Sequence, residues 1–159
     1  GYGLLKQVGK DGREKIAANA VVTSSSGTTY KGVAAGEYPV GLTIEYAAQE
    51  YVAGGQKEIK LVYPAEGSYL APEGMFIVKG AKNMDAAKTL YNALMSKEVQ
   101  EAELTKNFRR PTRTDIQVSK LTTLPDLKSI KIFPLNQEAA SAEYEQLVAL
   151  WNIAVSKAR

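Results

Sequence analysis

The 159-residue sequence contains no cysteine and no histidine. Their absence removes disulfides, thiolate chemistry, zinc sites of the usual kind, imidazole acid–base catalysis and the Ser-His-Asp triad. Any metal would have to be a hard cation held by carboxylate, phenolate or an added anion. Lack of cysteine fits a reducing cytosol and equally an exported bacterial protein that needs no disulfides. No apolar run reaches the roughly twenty residues that span a bilayer. Charge of one sign is not concentrated either. Twenty Lys and Arg face seventeen Asp and Glu for a net charge of +3, and no basic run marks a nucleic-acid surface. Nucleic acid is therefore not an expected partner. Without histidine no nucleophile–base pair is visible, and no carboxylate pair has informative spacing, so the chain is not expected to be an enzyme.

What is present is an ordinary globular composition, 45% hydrophobic and 23% charged. This length can bury one good core or two small unequal ones. The opening GYGLLKQVGKDGREK has no signal-peptide architecture and begins on a short helical stripe, Leu4, Leu5 and Val8, with no cap before it. It reads as the middle of a longer chain.

Gly9-Lys10-Asp11-Gly12 should end that first helix, and Arg13 to Ala18 should form another. A hydroxyl run, Thr23 to Thr29, precedes a helix stopped by Gly36. Tyr38 to Ile44 reads as a buried strand, and Glu45 to Ala53 as a helix stopped by Gly54-Gly55. Glu58 to Tyr63 alternates as a half-exposed strand, and Ser68 to Val78 is extended and interrupted by Pro72. Helices follow from Asn83 to Met95 and from Ser96 to about Asn107. Phe108 to Asp115 is a charged connector, Ile130 to Phe133 is short and apolar, and Asn136 to Lys157 is a long amphipathic helix. Its stripe of Tyr144, Leu147, Val148, Trp151 and Val155 should pack into a core. Strands alternating with helices give an α/β class.

Three groups of residues can carry chemistry. In Ser24-Ser25-Ser26-Gly27-Thr28-Thr29, hydroxyls and free N–H groups at a helix start suit a phosphate, phosphonate or carboxylate, or simply cap the helix. The run lacks the Lys of a P-loop. Glu45-Tyr46 stands at a strand end, where open α/β sheets place ligands. A carboxylate and a phenol there can bind a hard cation such as ferric iron or hydrogen-bond a polyol or ammonium group. Equally, Glu45 can be an ordinary acidic residue in a first helical turn. Arg109, Arg110 and Arg113 offer guanidinium forks that match phosphate and carboxylate, or are plain surface arginines.

The order of motifs narrows these choices. Val33-Ala34-Ala35-Gly36-Glu37-Tyr38-Pro39-Val40-Gly41-Leu42 followed by Glu45-Tyr46 resembles the second lobe of a bacterial ABC-transporter periplasmic solute-binding protein. The similar subgroup is the type II binders of ferric iron, thiamine, phosphonates and sugar phosphates. Tyr63-Pro64-Ala65-Glu66-Gly67-Ser68 with Pro72-Glu73-Gly74-Met75-Phe76-Ile77-Val78 resembles that family's return crossover. Ala86-Ala87-Lys88 through Gln100 is similar to its next two helices, and Arg109-Arg110-Pro111-Thr112-Arg113-Thr114-Asp115 to the segment after them. The resemblance covers nearly the whole chain in order.

It implies an α/β, periplasmic-binding-protein-like second lobe with the crossover and C-terminal helices, the first lobe being largely missing. Residues 1–67 would belong to the second lobe, 68–116 would return to the first, and 117–159 would pack back on the second. The implied function is capture of ferric iron or a small anionic solute in an interlobe cleft and delivery to an ABC permease in the membrane. The implied ligand contacts are Ser25, Ser26, Thr28, Glu45, Tyr46 and Arg110. Should the cargo be ferric iron, Tyr46 and Glu45 would hold it, and no resident cofactor is implied. Iron-binding members carry two adjacent tyrosines here, whereas Tyr46 is followed by Ala47. The implied partners are the solute, the permease and the absent N-terminal lobe. The implied location is the periplasm, or the outside of a Gram-positive cell as a lipoprotein. The alternative is an effector-binding domain of a regulator, or an enzyme, built on the same lobe.

Overall fold

The computed structural model describes residues 2–158, and among these glycine stops and polar caps help to set off seven helices, close to where the sequence signals lie. In order they are α1 (Tyr2–Asn19), α2 (Ser26–Ala34), α3 (Glu45–Ala53), α4 (Met84–Leu94), α5 (Lys97–Asn107), α6 (Val118–Leu121) and α7 (Gln137–Ala158). A single 3₁₀ turn covers Leu127–Ser129. The expected break between two N-terminal helices is one residue wide. Gly9, at φ 65° and ψ −167°, interrupts α1 in a conformation that side chains disfavour. Ser96 caps α5 by accepting from Val99 N at 3.3 Å. The four-residue α6 was not expected from the sequence.

The chain forms two compact units. The first combines the stretch up to Ser24, Pro64–Leu70 and the stretch from Lys131 onward. Here α1 packs along α7, burying Leu5, Ala17, Leu147 and Ala154, with Lys6 paired to Glu143. Tyr144, expected in the buried stripe, is instead exposed: the inward face of α7 runs through Ala140, Glu143, Leu147, Trp151 and Ala154, a path that steps back four residues from Leu147 to Glu143 and leaves Tyr144 at its edge. Ser68 and Ile132 make an isolated parallel bridge: Ser68 N donates to Lys131 O, and Phe133 N to Ser68 O, both at 2.9 Å. The Tyr69 and Phe133 rings meet edge to face beside it, 5.5 Å apart.

The second unit comprises Ser25–Tyr63 and Ala71–Ile130. Its core is Leu104, Ile116, Val118 and Leu124, with Leu61 and Phe108 against them. Phe108, at the C-cap of α5, adopts the left-handed conformation at φ 54°. That costs a non-glycine residue roughly 1–2 kcal/mol, and the packed ring holds it there.

The α/β class is realised in its helices but not in a sheet. Among the described residues no strand forms, and the Ser68–Ile132 bridge is the one β contact. The segment Tyr38–Ile44, expected as a buried strand, runs without a pairing strand: Tyr38 and Gly41 lie against Gly32, Val33 and Thr29 of α2, while Val40 is 78% exposed, with Leu42 and Ile44 also open. Phe76 on the crossover is 87% exposed. The physical reason is that alternation specifies an extended backbone and its faces, while a strand also needs a partner about 4.8 Å away, which periodicity does not name. Residues 58–63 keep the alternation all the same: Ile59, Leu61 and Tyr63 are half-buried, and Glu58, Lys60 and Val62 are exposed.

Candidate functional site

Glu45 is the first residue of α3, following Ile44, which offers no side-chain cap. A carboxylate in that turn faces the positive end of the helix dipole. The structure gives it a second partner from far along the chain. Arg110 donates from Nε to Glu45 Oε2 at 2.7 Å and from Nη2 to Oε1 at 2.8 Å, a two-point fork. Its remaining nitrogen, Nη1, donates to Pro125 O at 2.8 Å. Tyr63 adds its hydroxyl to Glu45 Oε1 at 2.5 Å. The side chains are only 16% and 24% exposed for Arg110 and Glu45, so this is a half-buried cluster and not a surface pair.

The electrostatics follow from that burial. The Tyr63 phenol is pushed up to about 12, first by burial and then by its hydrogen bond to Glu45 and the charge there, with Arg110 opposing. The Arg110 guanidinium is held above its ordinary range: burial disfavours the cation, but Glu45 and Tyr63 together outweigh it. A raised folded value means that Tyr63 stabilises fully below the ordinary 10.0 and loses that contribution as pH climbs toward about 12. Titration of tyrosinate absorbance should therefore lose its latest phenol in Tyr63→Phe, while Tyr69, which burial also pushes up, remains. The unfolding midpoint of the parent should fall more steeply than that of the variant over the same interval. A titration that the substitution leaves unchanged would assign the shift to another tyrosine.

The neighbouring residue builds a more open arrangement. The Arg109 guanidinium carbon lies 4.2 Å from the centroid of the Tyr46 ring, within cation–π range. Its Nη1 donates to Glu73 Oε2 at 2.8 Å, and its Nε is 4.0 Å from Glu103 Oε2. Gln100 holds this connector in place. It is buried on α5, and its Oε1 accepts from Thr112 N at 2.9 Å and Arg113 N at 3.3 Å. Tyr63 also lines a cavity of about 290 Å³ together with Gln49, Val52, Leu61, Thr123 and Pro125. Across it Gln49 Nε2 donates to Thr123 Oγ1 at 2.8 Å.

Of the residues singled out in the sequence, Glu45 and Arg110 are thus in direct contact, and Tyr46 lies under Arg109. Ser25, Ser26 and Thr28 form a group on another helix, at the start of α2. Ser25 is its N-cap, accepting from Gly27 N at 3.3 Å, while Ser26 and Thr28 are exposed. Two participants were missed. Tyr63 had a signal, since its alternation places a phenol on the same face as Ile59 and Leu61. Glu73 had none, because nothing in a Pro-Glu-Gly turn points to an arginine thirty-six residues on.

Among the described residues no group of three or more Asp or Glu side chains could hold a metal ion, so a cation here would depend on Tyr46 and Glu45. No helix among them is long and apolar enough to cross a membrane. A protein-family model described as "Bacterial extracellular solute-binding protein" matches residues 2–136, a span that contains every residue of the site. No curated protein and no solved structure matches the chain.

Proposed function

The chain belongs to the bacterial extracellular solute-binding protein family, and from that premise we propose that it captures a small anionic solute, a phosphonate or sugar phosphate, for delivery to an ABC permease. The observation that carries the anionic reading is the stacked Arg109–Tyr46 pair. It sets a guanidinium over the phenol that a ferric site would need. A cation brought to Tyr46 would meet that charge, whereas an anion would be drawn to it. Glu45 points the same way, since both its oxygens already accept from Arg110 and one also from Tyr63. In this reading Tyr46 and the α2 start, Ser25, Ser26 and Thr28, contact the solute. Glu45 and Arg110 fix the first turn of α3 beside it. Ligand held between lobes would favour the closed form that the permease receives.

Calorimetry with inorganic phosphate is the simplest test. Binding should be weakened about tenfold or more in the Ser26→Ala, Thr28→Ala double variant, the loss of roughly 1.4 kcal/mol of hydrogen bonding. Phosphate heat that is absent, or that the double variant leaves unchanged, removes the anionic reading. A tyrosinate–iron charge-transfer band on adding ferric ion, abolished by Tyr46→Phe, would put the metal in its place.

A further inference from the structure

We infer that Arg109 is the anion-receiving group of this site and that Glu73 is its internal competitor, a carboxylate that occupies the guanidinium until the solute displaces it. The inference rests on the anionic reading above and extends it to two residues outside that set.

The two consecutive arginines differ in what they have left to offer. Arg110 has all three nitrogens engaged, two on Glu45 and one on Pro125 O, and is largely buried. A ligand taking its fork would strand the half-buried Glu45 carboxylate, which is a costly exchange. Arg109 is 41% exposed and its short contact to a carboxylate is a single one, Nη1 to Glu73 at 2.8 Å, with Glu103 a distant 4.0 Å from Nε. Glu73 is 80% exposed and lies between Pro72 and Gly74, on a segment without regular secondary structure. Exposed one-point pairs of this kind contribute little, because water competes for both charges and two long side chains must be ordered. Releasing Glu73 returns an already hydrated carboxylate to water.

What stays fixed is the receiving geometry. Tyr46 lies under the guanidinium plane, and Phe108 and Gln100 anchor the chain on either side of it. A phosphate or phosphonate presents two or three oxygens to a preoriented fork, where Glu73 supplies one. The solute therefore wins the exchange on geometry while Glu73 keeps Arg109 from binding weaker monoanions. Glu73 acts here as a filter on affinity and not as a structural strut.

Calorimetric titration of inorganic phosphate into the chain and three variants decides the matter. Glu73→Gln is expected to bind about three- to fivefold more tightly, the release of an exposed ion pair. Arg109→Gln should bind about tenfold or more weakly, and adding Glu73→Gln to it should restore nothing. Glu58→Gln, which removes the same charge from another exposed position, should leave the affinity unchanged. Unaltered or weaker binding in Glu73→Gln, or equal tightening in the Arg109→Gln background, overturns the inference while leaving the anionic reading standing. Absence of phosphate binding in every form removes both. Circular dichroism of Arg109→Lys, which keeps the charge and loses the fork, separates misfolding from lost recognition: a native spectrum with weakened binding supports the assignment, and native affinity contradicts it.

Discussion

Leu104→Ala should lower the unfolding free energy by about 3 kcal/mol, within the roughly 2–5 kcal/mol typical of emptied leucine sites. Leu104 is 0% exposed and sits with Leu124, Ile116 and Val118 at the centre of the second unit. Truncation removes the transfer energy of three carbons and leaves a cavity that the rigid α5 cannot collapse into. Phe108 rests on the same cluster, so the loss also relaxes the left-handed turn that leads into Arg109 and Arg110. Urea unfolding measures the first effect as a drop in midpoint at constant slope. Leu90→Ala, on the exposed face of α4, serves as the control and should cost under about 0.5 kcal/mol. Equal losses at the two sites would mean that the Leu104 cluster is not the core.

Arg110→Ala is the second large effect, expected at about 2–3 kcal/mol. The figure lies between the roughly 0–1 kcal/mol of an exposed ion pair and the 3–5 kcal/mol of breaking a buried one, because this pair is half-buried. Most of the cost is the stranded partner. Glu45 keeps only Tyr63, and Pro125 O loses its donor. Arg110→Lys should recover less than half, since an ammonium cannot make the fork. In a double-mutant cycle with Glu45→Gln the coupling should reach about 1–2 kcal/mol. A loss below about 1 kcal/mol with no coupling would place the pair among ordinary surface contacts.

The helices could be read because their ends are written locally. Gly36, Gly54-Gly55, Ser96 and Asn136 each act within a turn of the residue they cap or stop. The same locality explains the misses. Whether Tyr38–Ile44 is covered depends on a neighbouring segment, and no property of those seven residues names one. The charged cluster is a sharper case. Glu45 and Arg110 were both singled out, yet for separate contacts with a solute, and their mutual fork spans sixty-five positions that share no period. A carboxylate and a guanidinium each suggest a ligand when seen alone, and together they satisfy one another. The family match of the chain came from the order of weak motifs, which survives even where a single motif has an unexceptional role.

The uncovered extended segments bear on how the protein behaves in a tube. Val40, Leu42 and Ile44 are exposed apolar side chains on one segment, and Phe76 and Val78 on a second, both outside any sheet. Exposed apolar extended backbone of this kind can pair with another copy of itself, which a net charge of +3 opposes only in part. Pro39 and Gly41 interrupt the first segment and slow that process without abolishing it. Light scattering should accordingly rise with protein concentration and fall when Val40 and Leu42 are replaced by threonine.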